Sequence, residues 1–249
     1  MNKDSEVNDL LVKKLFNQRA LNLKGNNAVL SSDSLESTIR QNIYRNFITQ
    51  KSIIKYLRPK TNETILDFGC GIGRISKMVS KFSKMVIAID CSDEMIKKAI
   101  EENSRPNIAY STSENYLFKN NRFDAIYTCW VLQHISDNQL TKEIKKFLEI
   151  LKKGGRIIIL EQISKEGSIK EKVLHQRRVI DYEELFLKND FKLVLQKPIL
   201  RFPSYGMTIW MKYKLPNFVL PLLKLIENNT VNRNPENIDY VSTIMIFEK

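Results

Sequence analysis

Ile65-Leu66-Asp67-Phe68-Gly69-Cys70-Gly71-Ile72-Gly73-Arg74 decides the fold. An apolar run of strand length carries an acid, glycines follow at alternate positions, and helix-like spacing resumes at Ile75. Strand, glycine turn and helix in that order put the glycines at the C-terminal edge of a buried strand. A ligand lies against bare backbone there, where side chains would block it. The N-terminus of the next helix favours an anionic group. A dinucleotide fingerprint would need its third glycine at Arg74, and Asp67 would oppose a pyrophosphate. A carboxylate at that point suits a ligand bearing an ammonium group.

Working outward, Met85–Asp90 reads as a second buried strand. Ser92 caps a helix over Asp93–Asn103. Ile108–Tyr110 and Phe123–Cys129 read as further strands, and a helix runs over Asn138–Leu151. Gly154-Gly155 turns that helix into a strand over Arg156–Glu161. Helix Asp181–Asn189, strand Phe191–Gln196 and strand Tyr240–Phe247 complete the pattern. Strands alternating with helices dictate a parallel sheet with right-handed crossovers. Upstream, residues 33–57 have helical spacing up to Pro59, and Leu10, Leu11, Leu15 and Phe16 give a weaker helical signal.

The 249 residues carry 40 Lys and Arg against 28 Asp and Glu, a net charge of +12. The 43% hydrophobic content excludes a disordered chain, and eight glycines exclude a collagen-like one. The charge leaves nucleic acid, an anionic membrane surface and an acidic substrate open. Cys70, Cys91 and Cys129 are odd in number and widely spaced, so no disulfide framework is expected. With His134 and His175 as the only histidines, no metal site is expected either. The first residues lack an apolar leader core, and no run of about 18 apolar residues occurs. A cytoplasmic location is the expectation.

These motifs together resemble the class I S-adenosylmethionine-dependent methyltransferases over residues 60–162. Asp67 to Gly73 looks like that family's first motif. The resemblance implies that Gly69, Cys70, Gly71 and Gly73 admit the methionine end of the cofactor while Asp67 helps hold its amino group. Asp90, 23 residues after Asp67, matches the acid that binds both ribose hydroxyls. Cys91 and Met95 would then line the adenine or ribose side. Thr112 falls where the family usually has an acid for the adenine amino group. This is a departure, and Thr112 with Ser113 would substitute a hydroxyl or a backbone group. Cys129 and Trp130, in the segment resembling the fourth motif, would wall the pocket. The implied fold is α/β, a Rossmann-like doubly wound, mostly parallel seven-stranded sheet. It carries an N-terminal helical extension (residues 1–60) and a main domain (61–249) with a lid inserted before the last strand (198–237).

The implied chemistry is in-line methyl transfer, in which the protein supplies alignment and, for a hydroxyl acceptor, a base. His134, just past strand four at the ligand edge, is the first candidate base. The alternative is a structural histidine beside Trp130. Glu161, closing strand five, is the second, against a role in holding the strand end. His175 reads as a surface histidine. The cysteines read as small buried residues rather than nucleophiles.

Substrate choice must come from the appended segments. Tyr44 and Phe47 are candidates to line the pocket from the N-terminal extension. Residues 201–214 are aromatic, Met-rich and basic, and Pro216–Ile226 is apolar. They form either a lid over an acceptor or a surface resting on anionic membrane. The expected reaction is methyl transfer to oxygen of a small or medium acceptor, with a sugar or glycan intermediate first. Nitrogen, lipid or quinone acceptors, RNA methylation and a non-catalytic cofactor-binding role are the alternatives. Dispersed basic residues and the lack of an appended RNA-binding module argue against nucleic acid.

Overall fold

The computed structural model describes residues 7–30, 36–118, 123–164, 169–233 and 240–249. Nine helices and nine strands occur among them. The expected helix residues 33–35 and the end of the expected lid, residues 234–237, lie outside the described residues.

Strands β1 (Thr64–Phe68), β2 (Met85–Asp90), β3 (Ile108–Thr112), β4 (Phe123–Cys129) and β5 (Leu151–Ser164) pair in parallel. A pair of 3-residue strands, β6 (Ile169–Glu171) and β7 (Leu174–Gln176), forms a separate hairpin. The last two main strands are β8 (Lys192–Phe202) and β9 (Tyr240–Glu248). Sheet order is β3-β2-β1-β4-β5-β9-β8, with β9 antiparallel to both neighbours. The order reverses direction between β1 and β4. In open α/β sheets ligands bind outside the strand ends at such a switch point.

Helix α1 spans Asp9–Asn22, α2 Asn27–Leu30 and α3 Glu36–Leu57. Short α4 (Ser76–Val79) follows the glycine turn, and α5 is Asp93–Asn103. Ser92 caps α5, its Oγ accepting the Met95 N–H at 3.1 Å. Helix α6 (Asp137–Ile150) and α7 (Val179–Leu187) flank β5 in sequence. Central strands are buried on both faces, as a parallel sheet between helices requires. One core cluster joins α3 to β1 and β5 through Ile48, Leu57, Ile65 and Ile158. The other joins α6 and α7 to the opposite face through Ile144, Phe147, Phe186 and Phe247.

Strand β8 continues through Pro198 to Phe202, so the inserted segment begins five residues later than its proline content predicts. Pro198 sits at a register shift in this outermost strand, where a missing N–H is tolerated. The insertion forms α8 (Tyr205–Lys212), a 3-10 turn over Asn217–Val219 and α9 (Leu220–Thr230). Both helices pack against α3. Trp210 is fully buried 6.0 Å from Tyr44, under the Arg40 guanidinium. The buried Glu227 carboxylate ties the insertion down. It accepts the Ser204 and Tyr44 hydroxyls and the Arg201 N–H.

Candidate cofactor and acceptor site

A cavity of about 400 Å³ opens at the C-terminal ends of β1, β2 and β4. Asp67, Gly69, Cys70, Gly71, Asp90, Cys91, Ser113, Cys129, Trp130 and His134 all line it. Four predicted residues do not. Gly73 has φ +74°, and a Cβ there would meet the Tyr110 hydroxyl at 2.3 Å, so it is glycine for internal packing. Met95 is buried in a small cluster with Ala20, Ala28 and Ile72. The Thr112 hydroxyl accepts the Asn115 N–H and closes a turn. Glu161 is spent on backbone. Its carboxylate accepts N–H groups of Val131 (3.0 Å), Leu132 (2.9 Å) and Gln133 (3.4 Å). It is fully buried and does not reach the cavity.

The acids follow the chain's local logic. Asp67, the penultimate residue of β1, lies just before the glycine turn and accepts Ser76 Oγ at 2.5 Å and Tyr127 OH at 2.6 Å. Burial outweighs these bonds and raises its pKa to about 6. Asp90 ends β2 and accepts the Gly71 N–H at 2.8 Å and the Ser92 N–H at 2.9 Å. Each oxygen therefore keeps acceptor capacity while the carboxylate borders the cavity. Burial pushes the Cys91 and Cys129 thiols up to about 12, and Cys70 well above its ordinary value. All three stay protonated near neutral pH, which excludes them as thiolate nucleophiles there.

The wall after β4 is built with strain. Trp130 has φ +59°, a conformation that costs a non-glycine residue of order 1–3 kcal/mol. Its N–H donates to the Leu160 carbonyl at 2.7 Å, and Glu161 then takes the next three amides. Arg177 holds the carbonyl side of the same loop, donating to Leu132 O and Ile135 O, both at 2.7 Å. The guanidinium is fully buried and also paired with Asp137 at 2.8 Å. His175 joins this Asp137 at 3.2 Å and is buried, not on the surface as its basic surroundings predict. Trp130 Nε1 is buried with no hydrogen-bond partner among the described residues, so the wall holds an unused donor.

His134 borders the cavity with Nδ1 2.6 Å from the Val173 carbonyl. That carbonyl can only accept, so Nδ1 carries the proton and Nε2 the lone pair. Burial lowers its pKa, keeping the ring neutral at physiological pH. Phe16 of α1 meets the ring edge-on at 5.2 Å.

The remaining walls carry no motif in the sequence. Asp9, Leu10, Val12, Lys13 and Phe16 of α1 line the cavity, whereas Tyr44 is core and Phe47 packs against that core. No residue of 203–233 reaches the cavity. The described part of the inserted segment therefore does not close it; α1 borders it. Gln139 and Glu143 of α6 also line it, as does Arg74. Asn46 and Thr49 of α3 accept from Arg74 Nη1 at 2.9 and 3.2 Å.

Residues 65–155 match the family described as "Methyltransferase domain". The chain carries a class I S-adenosylmethionine-dependent methyltransferase domain. Over 142 residues it is 33% identical to phosphoethanolamine N-methyltransferase 3 of Arabidopsis thaliana, covering 54% of this chain and 29% of that one. It is 31% identical to N-terminal Xaa-Pro-Lys N-methyltransferase 1 of Xenopus tropicalis, covering 50% of this chain and 61% of that one. The chain thus spans about a quarter to three fifths of the length of the curated relatives it matches. Phosphoethanolamine N-methyltransferase 2 of Haemonchus contortus, solved with S-adenosylmethionine, superposes with a TM-score of 0.59 at 18% identity. That match covers 84% of this chain and 57% of the other. At such identity it shows the fold.

The residues present fit the family's cofactor. Asp90 has acceptor capacity for a diol, Gly69 and Gly71 line the cavity while their Cβ directions are filled by Val131 and Val29, and the orphaned Trp130 Nε1 is a donor in its wall.

Proposed function

We propose that this chain transfers the methyl group of S-adenosylmethionine to an amine nitrogen of a small or peptide acceptor. The Glu143 carboxylate carries this reading. One oxygen accepts Gln139 Nε2 at 2.7 Å, and Oε2 is buried with no hydrogen-bond donor among the described residues. Lys146 Nζ stands 3.8 Å from that oxygen, beyond hydrogen-bond reach. Glu143 lines the cavity, and its Oε2, ion-paired with Lys146 but without a hydrogen bond, keeps acceptor capacity that suits an ammonium group. The whole lining points the same way, with carboxylates from Asp9, Asp67, Asp90, Glu114 and Glu143 against cations from Lys13 and Arg74. An acid-rich lining opposes RNA. The relatives named above are N-methyltransferases, which supports nitrogen further.

When bound, S-adenosylmethionine supplies a methyl group on a positively charged sulfur. Asp90 holds the ribose end and Asp67, through its neighbours, the amino end. Glu143 draws the acceptor's ammonium into the cavity. Nitrogen attacks only through a free lone pair, so the ammonium must first lose a proton. Neutral His134, its Nδ1 fixed by Val173, keeps its lone pair on Nε2, which stands 3.4 Å from Gln133 Nε2 and takes the proton when that long contact yields.

The test is labelled-methyl transfer to phosphoethanolamine, ethanolamine and a peptide with a free N-terminal Xaa-Pro-Lys, beside matched hydroxyl compounds. Transfer to an amine, with KM raised in Glu143→Gln and kcat lowered in His134→Asn, is the expected result. Transfer confined to hydroxyl acceptors would overturn the amine assignment.

A further inference from the structure

The inserted segment leaves an apolar face uncovered. Phe218 is 82% exposed, Leu222 61% and Leu225 57%. Spacings of four and three residues place these side chains on one stripe of the 3-10 turn and α9. The opposite stripe, Leu220, Leu223 and Glu227, is buried. Tyr213 is 63% exposed just before them, beneath the Lys212 ammonium at 5.5 Å.

The charge around this face has one sign. From Phe202 to Ile226 the chain contains Lys212, Lys214 and Lys224 and no Asp or Glu. Helix α3, on which the segment packs, adds Arg40, Arg45, Lys51 and Lys55 with no acid from Ser37 to Leu57. Lys224 bonds Ser52 of α3 at 3.0 Å. Burial first, then Lys55 and Lys51, lower its pKa to about 8 against the opposing pull of Glu227. Clustered cations of this kind are relieved by an anionic partner.

We propose that the α8–α9 segment is a docking surface for bilayers containing anionic lipid, with Phe218, Leu222 and Leu225 entering the interface and Lys212 and Lys214 meeting headgroups. Exposed aromatic and leucine side chains beside lysines match how peripheral proteins lie on membranes. Nucleic acid would use the lysines but gain nothing from the leucines. Among the described residues no helix is long and apolar enough to cross a membrane, so the association is peripheral. The buried Trp210 takes no part in it; it anchors the segment from below. The cavity lies elsewhere, so this inference stands independently of the acceptor.

The test is cosedimentation with phosphatidylcholine vesicles, with and without phosphatidylserine. Retention on the anionic vesicles alone, weakened by salt, is expected. Lys212→Glu/Lys214→Glu should lower partitioning by roughly thirtyfold or more, because two charges attracted to the anionic surface become two that it repels. Phe218→Ser/Leu222→Ser should also abolish retention. Thermal unfolding and S-adenosylmethionine binding of both variants should match the unsubstituted protein, because these side chains are exposed. Failure to bind either vesicle, or equal binding to both, overturns the proposal. So does a dimer in sedimentation equilibrium, without vesicles, that the same apolar substitutions dissolve.

Discussion

Glu161, three residues before the end of β5, accepts the backbone N–H of Leu132, just beyond β4, at 2.9 Å. With Val131 and Gln133 it forms a clamp on the amide side of the loop whose carbonyl side Arg177 holds. The clamp offsets the left-handed strain at Trp130. Glu161→Ala would strand buried donors at a cost of about 1–3 kcal/mol each. The expected loss is about 3 kcal/mol or more in denaturant titration, with weaker cofactor binding because the cavity wall loosens. A loss below about 1 kcal/mol would mean that the loop holds itself.

The same carboxylate sets a pH dependence. Burial raises Glu161 to about 7, opposed by its amide bonds, and raises Asp67 to about 6. Both folded values exceed the unfolded ones, so folding favours their protonated forms. That contribution is fully present below the unfolded values, 4.5 for Glu161 and 3.8 for Asp67, and is lost as pH rises through the folded values. Asp137 acts oppositely. The His175 hydrogen bond first, with Arg177, holds it far below the usual carboxylate range, so its contribution is lost as pH falls through acid values. Unfolding free energy in the Glu161→Gln variant should therefore decline less between about pH 4.5 and 7 than in the unsubstituted chain. Parallel curves would remove Glu161 as a source of the slope.

The sheet is legible in the sequence because buried parallel strands are apolar runs and each turn is marked by Gly, Ser or Pro. Asp67, Asp90 and the glycine turn are legible for a similar reason, since their chemistry is tied to fixed distances from a strand end. The cavity's outer walls are not. Helix α1 buries only Val12 and Ala20 among its residues and carries no clear apolar stripe. It is held by point attachments at Asn8, Lys13 and Asn17, which leave no periodic signal. Glu161 reads as catalytic from sequence because a carboxylate at a strand end can face either the ligand or the neighbouring loop. Only the loop's strained geometry decides between them. Arg177 sits in a basic run that reads as solvated, although its guanidinium is buried.

Asp90 offers a direct check on cofactor recognition. It supports Gly71 and Ser92 through backbone N–H groups and borders the cavity. Asp90→Asn keeps the shape but replaces one acceptor oxygen by a donor. Hydrogen bonds to charged groups contribute about 1.5–3 kcal/mol, so S-adenosylmethionine affinity should fall roughly tenfold to a hundredfold by calorimetry. An unchanged Kd would remove Asp90 from the cofactor site.

Gly73 tests the packing account of the third glycine. Alanine there would hold φ +74° and press its Cβ onto the Tyr110 ring, with the ring's Cζ at 2.8 Å. The expected cost exceeds about 1 kcal/mol from backbone conformation alone, before the clash. Tyr110→Ala should recover the steric part and leave the conformational part. Full additivity of the two substitutions in thermal unfolding would contradict the packing account.

Lys13 of α1 separates global from local stability. Its ammonium bridges Glu114 at 3.0 Å and Asp93 at 3.3 Å, joining α1 to the first residue of α5 and to the turn after β3. Both carboxylates are at least half exposed, so the pairs contribute at most about 1 kcal/mol. Lys13→Ala should therefore leave the global unfolding transition almost in place. Helix α1 also rests on the Asn8 N–H to Lys172 carbonyl bond at 2.9 Å and on Asn17, which accepts Ser92 Oγ at 2.6 Å. Removing the middle of three attachments raises the population of its opened state. Amide exchange in Leu11–Phe16 should quicken several-fold while exchange in β1 and β4 stays fixed. Because α1 lines the cavity, cofactor dissociation in stopped-flow displacement should quicken with it. Faster exchange in α1 without faster dissociation would show that the helix borders the cavity without gating it.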